Sequence, residues 1–144
     1  MENGNFERRR LPIPVEDFHD LKELLTNLCE DEITLDEYLG KIEIRGSSKR
    51  IFLLFKTVAY PEDTFIMSVL ELEPSRKGIG SQILKWITEY TKKRCFKRLV
   101  FESIYSQSSI NFARKHGFTQ IKLRPEFDFI NKINRDGGSY QLEL

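Results

Sequence analysis

The stretch Phe65-Ile66-Met67-Ser68-Val69-Leu70-Glu71-Leu72-Glu73-Pro74-Ser75-Arg76-Lys77-Gly78-Ile79-Gly80-Ser81 decides the fold of this chain. The part up to Glu73 is largely apolar and predicts a β-strand. A basic turn with two glycines follows, and the residues from Ser81 to about Arg94 predict a helix. Free N–H groups and the positive dipole end at a helix start favour an anion, and glycine lets a phosphate approach the backbone. The stretch therefore predicts a phosphate-binding turn.

The spacing of the glycines excludes two common phosphate loops. A dinucleotide-binding turn, G-x-G-x-x-G, would need a glycine at position 83, where the chain has Ile83. A Walker loop needs Gly-Lys followed by Ser or Thr, and the sequence contains no such tripeptide. The phosphate site must therefore belong to another class.

The turn resembles the pyrophosphate loop of the GNAT-type N-acetyltransferases, in which Arg or Gln, two residues, Gly, one residue and Gly or Ala follow one another. The residues after it, Lys97 to Ile104, look like the next parallel strand of that family. The run from Ser108 to Gly117-Phe118 looks like its next helix. The resemblance covers about Phe65 to Ile121. It implies one domain over residues 1–144, with a mixed α/β fold in three layers, in which helices lie on both faces of a twisted sheet of about six to seven strands.

The hydrophobic pattern predicts the remaining elements. Pro14 begins a helix whose apolar side chains share one face, and Thr34 begins a second, short helix with Glu37 completing a capping box. The run 50–60 contains Ile51 to Phe55, which is apolar on both faces and predicts a strand covered on both sides. Strands are predicted at residues 6–13, 41–45, 50–60, 65–73, 97–104, 119–123 and 139–144. The expected order is strand, two helices, three strands, helix, strand, helix, two strands.

Composition excludes most other classes of protein. Among the 144 residues, 40% are hydrophobic and the net charge is +1, which gives no global field for a nucleic acid or a membrane. The basic runs 8–10 and 92–94 are short and lack a stacking platform for bases. Two cysteines and two histidines show no disulfide or metal-ligand spacing, so we expect no metal. The sequence has no apolar run of membrane length and no signal segment, and we expect a cytoplasmic protein.

The resemblance implies acetyl-CoA as the acyl donor. Backbone N–H groups from Arg76 to Ser81 would hold its pyrophosphate, and those near Leu70 to Leu72 would polarise the thioester carbonyl. Ser75 stands where the family has Arg or Gln, and Arg76 follows one residue later. The predicted donor-binding residues are Leu70, Leu72, Ser75, Arg76, Lys77, Gly78, Ile79, Gly80, Ser81 and Ser106.

Acetyl transfer also needs a group that removes a proton from the amine and one that protonates the thiolate. Glu71 and Glu73 share one side of the predicted strand and are the candidate bases. Many members of the family have a tyrosine as general acid where this chain has Ala113. Tyr105, at the end of the following strand, is the candidate replacement.

Two hypotheses remain from the sequence. The first is an N-acetyltransferase that moves an acetyl group from acetyl-CoA to a primary amine, carried by a small molecule or a peptide, by direct attack in a ternary complex. The second is a catalytically weak or inactive module of the same fold that binds acyl-CoA or a protein. Ser75 and Ala113 favour the second hypothesis. The resemblance also allows a homodimer, and turnover on an amine would separate the two hypotheses.

Overall fold

The computed structural model describes residues 13–58, 64–72, 78–121 and 136–144. Several predictions lie outside these ranges. They are the strand at 6–13 apart from its last residue, most of the loop 124–138, and the site residues Glu73, Ser75, Arg76 and Lys77.

The described residues form three α-helices. A 3-10 turn, Val15–Phe18, leads into α1 (His19–Cys29), and α2 (Ile79–Lys93) and α3 (Gln107–Lys115) follow later in the chain. Ser106 caps α3, since its hydroxyl accepts a hydrogen bond from the Ser109 N–H. None of these three helices has the length and apolar character that a bilayer crossing requires.

The described strands form one mixed sheet of seven strands. In chain order they are β1 (Ile33–Tyr38), β2 (Lys41–Gly46), β3 (Ile51–Val58), β4 (Thr64–Leu72), β5 (Arg98–Ile104), β6 (Thr119–Gln120) and β7 (Gly138–Glu143). Their order across the sheet is β1-β2-β3-β4-β5-β7-β6. The pair β4–β5 is parallel, and α2 forms the crossover between these strands. The other neighbouring pairs are antiparallel. The predicted mixed α/β class and strand number are confirmed.

The predicted second helix is wrong. The residues from Ile33 to Tyr38 form β1, which pairs with β2 through a hairpin whose turn is Leu39–Gly40. Both turn residues have positive φ values, 50° and 76°, as a two-residue hairpin turn with the twist of its strands requires. The Thr34 hydroxyl, expected to cap a helix, donates to the Arg45 carbonyl across the pair. Pairing with β2 therefore outweighs the local capping signal.

One face of the sheet carries the described helices. Phe18 beside α1 contacts Phe55, with ring centroids 5.7 Å apart, and Tyr90 of α2 contacts Phe65 at 6.3 Å. Phe112 of α3 contacts Phe101 at 6.1 Å. The strand register places these three sheet residues on the same face. The expected helical layer on the opposite face is not found among the described residues.

The central strand β3 was expected to be covered on both sides. Ile51, Leu53 and Phe55 are buried on the helical face, whereas Phe52 and Leu54 on the other face are half-buried. The guanidinium of Arg45 lies 4.1 Å from the centre of the Phe52 ring. The described part of the chain therefore covers β3 fully on one side only.

The parallel pair β4–β5 separates part-way along its length. Residues Thr64 to Met67 pair with Arg98 to Phe101, and β4 and β5 do not pair with each other beyond this point. The register of β4 against β3 also shifts here, beside Ser68. Such a bulge bends the strand, so the carboxyl halves of β4 and β5 diverge and leave a split in the sheet.

Candidate active site

A cleft of about 450 Å³ occupies the split between β4 and β5. The amino ends of α2 and α3 border the cleft, because both helices follow directly from the carboxyl ends of strands at this edge. Its lining residues are Met67, Ser68, Leu70, Glu71, Leu72, Gly78, Ile79, Gly80, Ser81, Phe101, Ile104, Ser108, Ser109, Phe112 and Lys115. The fold thus joins a helix amino terminus to an open sheet edge in one cavity.

The β4 side of the cleft presents main-chain groups. Alternate N–H groups between Ser68 and Leu72 point away from β3, and β5 does not pair with them here. Fixed N–H groups at such a position can bind a carbonyl oxygen that gains negative charge. Leu70 and Leu72, predicted to bind the donor through their main-chain groups, line the cleft.

The amino terminus of α2 faces the same cavity. Gly78 precedes the helix with φ of 72°, a conformation that favours glycine, and no side chain caps the first turn. A Cβ atom on Gly80 would lie 3.2 Å from the Phe112 ring, so glycine also allows α2 and α3 to approach each other closely. The free N–H groups and the helix dipole make this end of the cleft suited to an anion.

A serine and a histidine meet at this end of the cleft. Ser81 Oγ of α2 and His116 Nε2 at the end of α3 lie 3.0 Å apart. Burial, followed by the nearby Lys115 charge, lowers the pKa of His116. A neutral imidazole can accept the serine proton or donate to the oxygen, which fixes the hydroxyl beside the helix terminus.

The contribution of α3 was missed in the sequence. Ser108, Phe112 and Lys115 line the cleft from one face of this helix, at the spacing i, i+4 and i+7. That spacing was readable, but only the knowledge that β5 diverges from β4 shows that the face meets a cavity. Lys115 adds a positive charge to the side of the cleft that faces the α2 terminus.

Of the predicted catalytic residues and the residues near the start of α3, only some line the cleft. Glu71 lines the cleft, but its carboxylate is about half exposed and pairs with Arg50 at 3.8 Å. Tyr105 is 53% exposed and Ser106 caps α3, and neither lines the cleft. Ala113 is fully buried.

No metal centre appears among the residues that the structure describes. In these ranges no group of three or more His, Cys, Asp or Glu side chains is placed to hold an ion. Cys29 is buried and Cys95 is exposed, and both are free thiols.

Comparisons with known proteins give a result at the level of structure only. No family model matches the sequence, and no curated protein matches it. Among solved structures, a Bacillus subtilis acetyltransferase in complex with CoA is 16% identical, with a TM-score of 0.50 over 88% of this chain and 86% of that one. The chain has the GNAT fold. A Desulfovibrio desulfuricans protein assigned to the GNAT family has the same TM-score at 13% identity, over 93% of this chain and 96% of its own.

N-acetylglutamate synthase from Neisseria gonorrhoeae aligns with 95% of this chain at 15% identity and a TM-score of 0.49. The chain spans about a third of that protein, since the alignment covers 34% of it.

Proposed function

We propose that this protein is an acyl-CoA-dependent N-acyltransferase, which moves an acetyl group from acetyl-CoA to a primary amine by direct attack in a ternary complex. The observation that carries the proposal is the single cleft that joins the α2 amino terminus to the split between β4 and β5. One end of the cleft suits a phosphate group and the other suits a carbonyl. Acetyl-CoA carries its pyrophosphate and its thioester carbonyl at the two ends of the flexible pantetheine arm.

The anion end of the cleft would hold the pyrophosphate. Main-chain N–H groups from Gly78 to Ser81 are the donors, and Lys115 supplies a cation from α3. The loop residues Arg76 and Lys77 remain part of the proposal as further cations, with Ser75 beside them. The pyrophosphate therefore fixes the donor at the mouth of the split, next to Leu72.

The arm of the donor would then extend along β4 towards the bulge at Ser68. Its amide groups can pair with the β4 main chain between Leu70 and Leu72, where β5 leaves that edge open. This direction brings the thioester to the apex of the split, at Met67 and Phe101. A β4 N–H group there would stabilise the charge that develops on the carbonyl oxygen during attack.

Calorimetric titration with acetyl-CoA and with CoA tests the donor site. A Ser81→Glu variant puts a carboxylate at the anion end, and a Gln82→Glu variant makes the same change in charge at the next, exposed position outside the cleft lining. Two like charges about 4 Å apart repel by about 1–4 kcal/mol, the lower value in water and the higher one near a protein surface, which is roughly a 5-fold to 1000-fold loss of affinity. We expect this loss for Ser81→Glu and a much smaller one for Gln82→Glu.

The outcomes distinguish between the two hypotheses that the sequence leaves open. If the folded wild-type protein binds neither ligand, the acyltransferase proposal fails. Binding that Ser81→Glu abolishes, together with release of free thiol when amines are added, supports the enzyme. Binding with no thiol release on any amine would instead support a module that holds acyl-CoA without turnover.

A further inference from the structure

A side-chain contact closes the apex of the split. The last paired residues of the parallel strands are Met67 and Phe101, and the next residues are Ser68 and Glu102. The Ser68 hydroxyl donates to Glu102 Oε1 at 3.1 Å. From β3, Lys56 Nζ lies 3.2 Å from the same oxygen. A carboxylate is therefore held where the two strands separate.

Glu102 is not itself among the residues that line the cleft, but its carboxylate contacts one of them. Ser68 lines the cleft, so the carboxylate lies one hydrogen bond from its apex. Phe101 points to the helical face, and Glu102, as the next residue in the strand, points to the opposite face. The side chain is 36% exposed, and both of its contacts among the described residues use Oε1. Oε2 takes part in neither of these contacts, which leaves it for a ligand that approaches from the face of the sheet opposite the described helices.

Glu102 and Glu71 occupy different positions along the split. Glu71 lies three residues from Ser68 on β4, which is about 10 Å along a strand. It is therefore near the anion end of the cleft, beside the arm of a bound donor, and it pairs with Arg50. Glu102 lies at the far end, where the thioester of that donor would be placed.

We propose that Glu102 is the catalytic carboxylate that binds the acceptor's ammonium group and takes its proton, with Ser68 and Lys56 as positioning residues. The inference rests on the proposed acetyl transfer and deepens it, because it assigns a cationic primary amine to the face of the sheet opposite the helices. Ser68 fixes the orientation of the carboxylate, and Lys56 offsets part of its charge until the cationic acceptor arrives.

The proton and electron balance of the step is complete with these groups. One ammonium proton moves to the Glu102 carboxylate, and the freed lone pair on nitrogen attacks the thioester carbonyl carbon. A C–N bond forms, and then the C–S bond breaks with its electron pair leaving on the CoA sulfur. The thiolate takes the second proton from the nitrogen through water, and Glu102 returns its proton to solvent. The products are the N-acetyl amine, free CoA and one proton.

Thiol release from acetyl-CoA, with n-butylamine, spermidine and L-lysine as probe amines, tests the inference. The variant Glu102→Gln keeps a hydrogen-bond acceptor for Ser68 but removes the base. We expect kcat near neutral pH to fall by about 100-fold or more, as for loss of a general base, while acetyl-CoA affinity is unchanged. The deficit should shrink as the pH rises, because more of the amine is then already neutral.

Two controls accompany this variant. Glu143→Gln makes the same change on the same face of the sheet, at a carboxylate that pairs with Arg98 outside the cleft lining, and should leave kcat unchanged. Glu102→Asp keeps the charge on a shorter side chain and should retain part of the activity. A purely structural role for Glu102 would give a deficit that is the same at every pH.

Each remaining result counts for or against the inference. A wild-type rate in Glu102→Gln, a deficit independent of pH, or a larger loss in Glu71→Gln overturns it. Wild-type protein that binds acetyl-CoA but acetylates none of the probes also overturns it and leaves the donor site intact. Failure of the wild type to bind acetyl-CoA removes the proposed function itself, and this inference with it.

Discussion

The Phe112 ring lies close to Gly80. We therefore predict that the effect of Gly80→Ala on stability changes sign when Phe112 is replaced by a smaller residue. In the Gly80→Ala variant, the new Cβ atom would lie 3.2 and 3.3 Å from two atoms of the Phe112 ring. Ordinary contacts of a Cβ atom begin at about 3.4 Å, so the ring or the helix must move. Because α2 and α3 meet here, the strain would fall on the wall of the cleft.

Two opposing terms set the magnitude. Alanine is favoured over glycine in a helix by about 1 kcal/mol, and the φ of Gly80 lies outside the positive range that would oppose alanine. Overpacking a close contact costs about 1–3 kcal/mol. We therefore expect Gly80→Ala to destabilise the protein by up to about 2 kcal/mol. In a Phe112→Leu background the ring atoms are absent, and the same change should stabilise it by up to about 1 kcal/mol.

Urea unfolding of the four proteins in this double-mutant cycle, followed by circular dichroism without ligand, measures both terms. The expected coupling free energy between the two positions is about 1–3 kcal/mol, within the range found for residues in contact. A change of the same sign and size in both backgrounds would refute the reasoning, since it would mean that Phe112 does not restrict position 80.

Three further predictions concern stability. The Ser48 hydroxyl, with other donors of the same loop, holds the pKa of Asp31 well below its usual range, so this carboxylate stabilises the fold above its ordinary pKa. That contribution is lost as the pH falls through the lowered value, and Asp31→Asn should weaken the fold at neutral pH and flatten its acid unfolding curve. Burial lowers the pKa of His116, so protonation favours the unfolded chain, and His116→Gln should reduce the loss of stability as the pH falls below about 6.5, measured as urea midpoints against pH. Tyr90→Phe removes the 2.9 Å hydrogen bond from the phenol to Asp17 and should cost about 1 kcal/mol in urea unfolding, whereas no change would show that water replaces this bond.

The sequence predicted most elements because their signals are local. The apolar face of α1 and the strand of β4 both depend on residues within a few positions of one another. β1 was missed because Thr34 and Glu37 match a helical capping box, whereas the pairing of Ile33 with Gly46 joins residues that local rules do not connect. Strand pairing depends on partners distant in sequence, and here it outweighed a local preference.

The candidate site also contains features that local sequence predicts and features that only the assembled fold shows. The glycines of the predicted phosphate turn lie in one contiguous segment, so their pattern was readable in the sequence, and in the structure Gly78 and Gly80 line the cleft. The contacts of Ser68 with Glu102 and of Ser81 with His116 join residues that are 34 and 35 positions apart. Nothing in the spacing of these side chains marks them as partners before the strands and helices are assembled.

The difference between main-chain groups at one end of the cleft and side chains at the other predicts which residues set the specificity of the proposed reaction. The end of the cleft proposed for the donor includes the α2 amino terminus and the open edge of β4, whose main-chain groups are positioned by glycine, strand and helix and change little with most side-chain substitutions. Beside the apex, the Ser68 hydroxyl from the cleft lining contacts Glu102, which also pairs with Lys56, so three side chains from three different strands meet there. A sequence with the same phosphate turn and different residues at these three positions would keep the donor and change the acceptor. Acceptor preference should therefore follow substitutions at the apex, on the face of the sheet without described helices, more closely than changes in the phosphate turn.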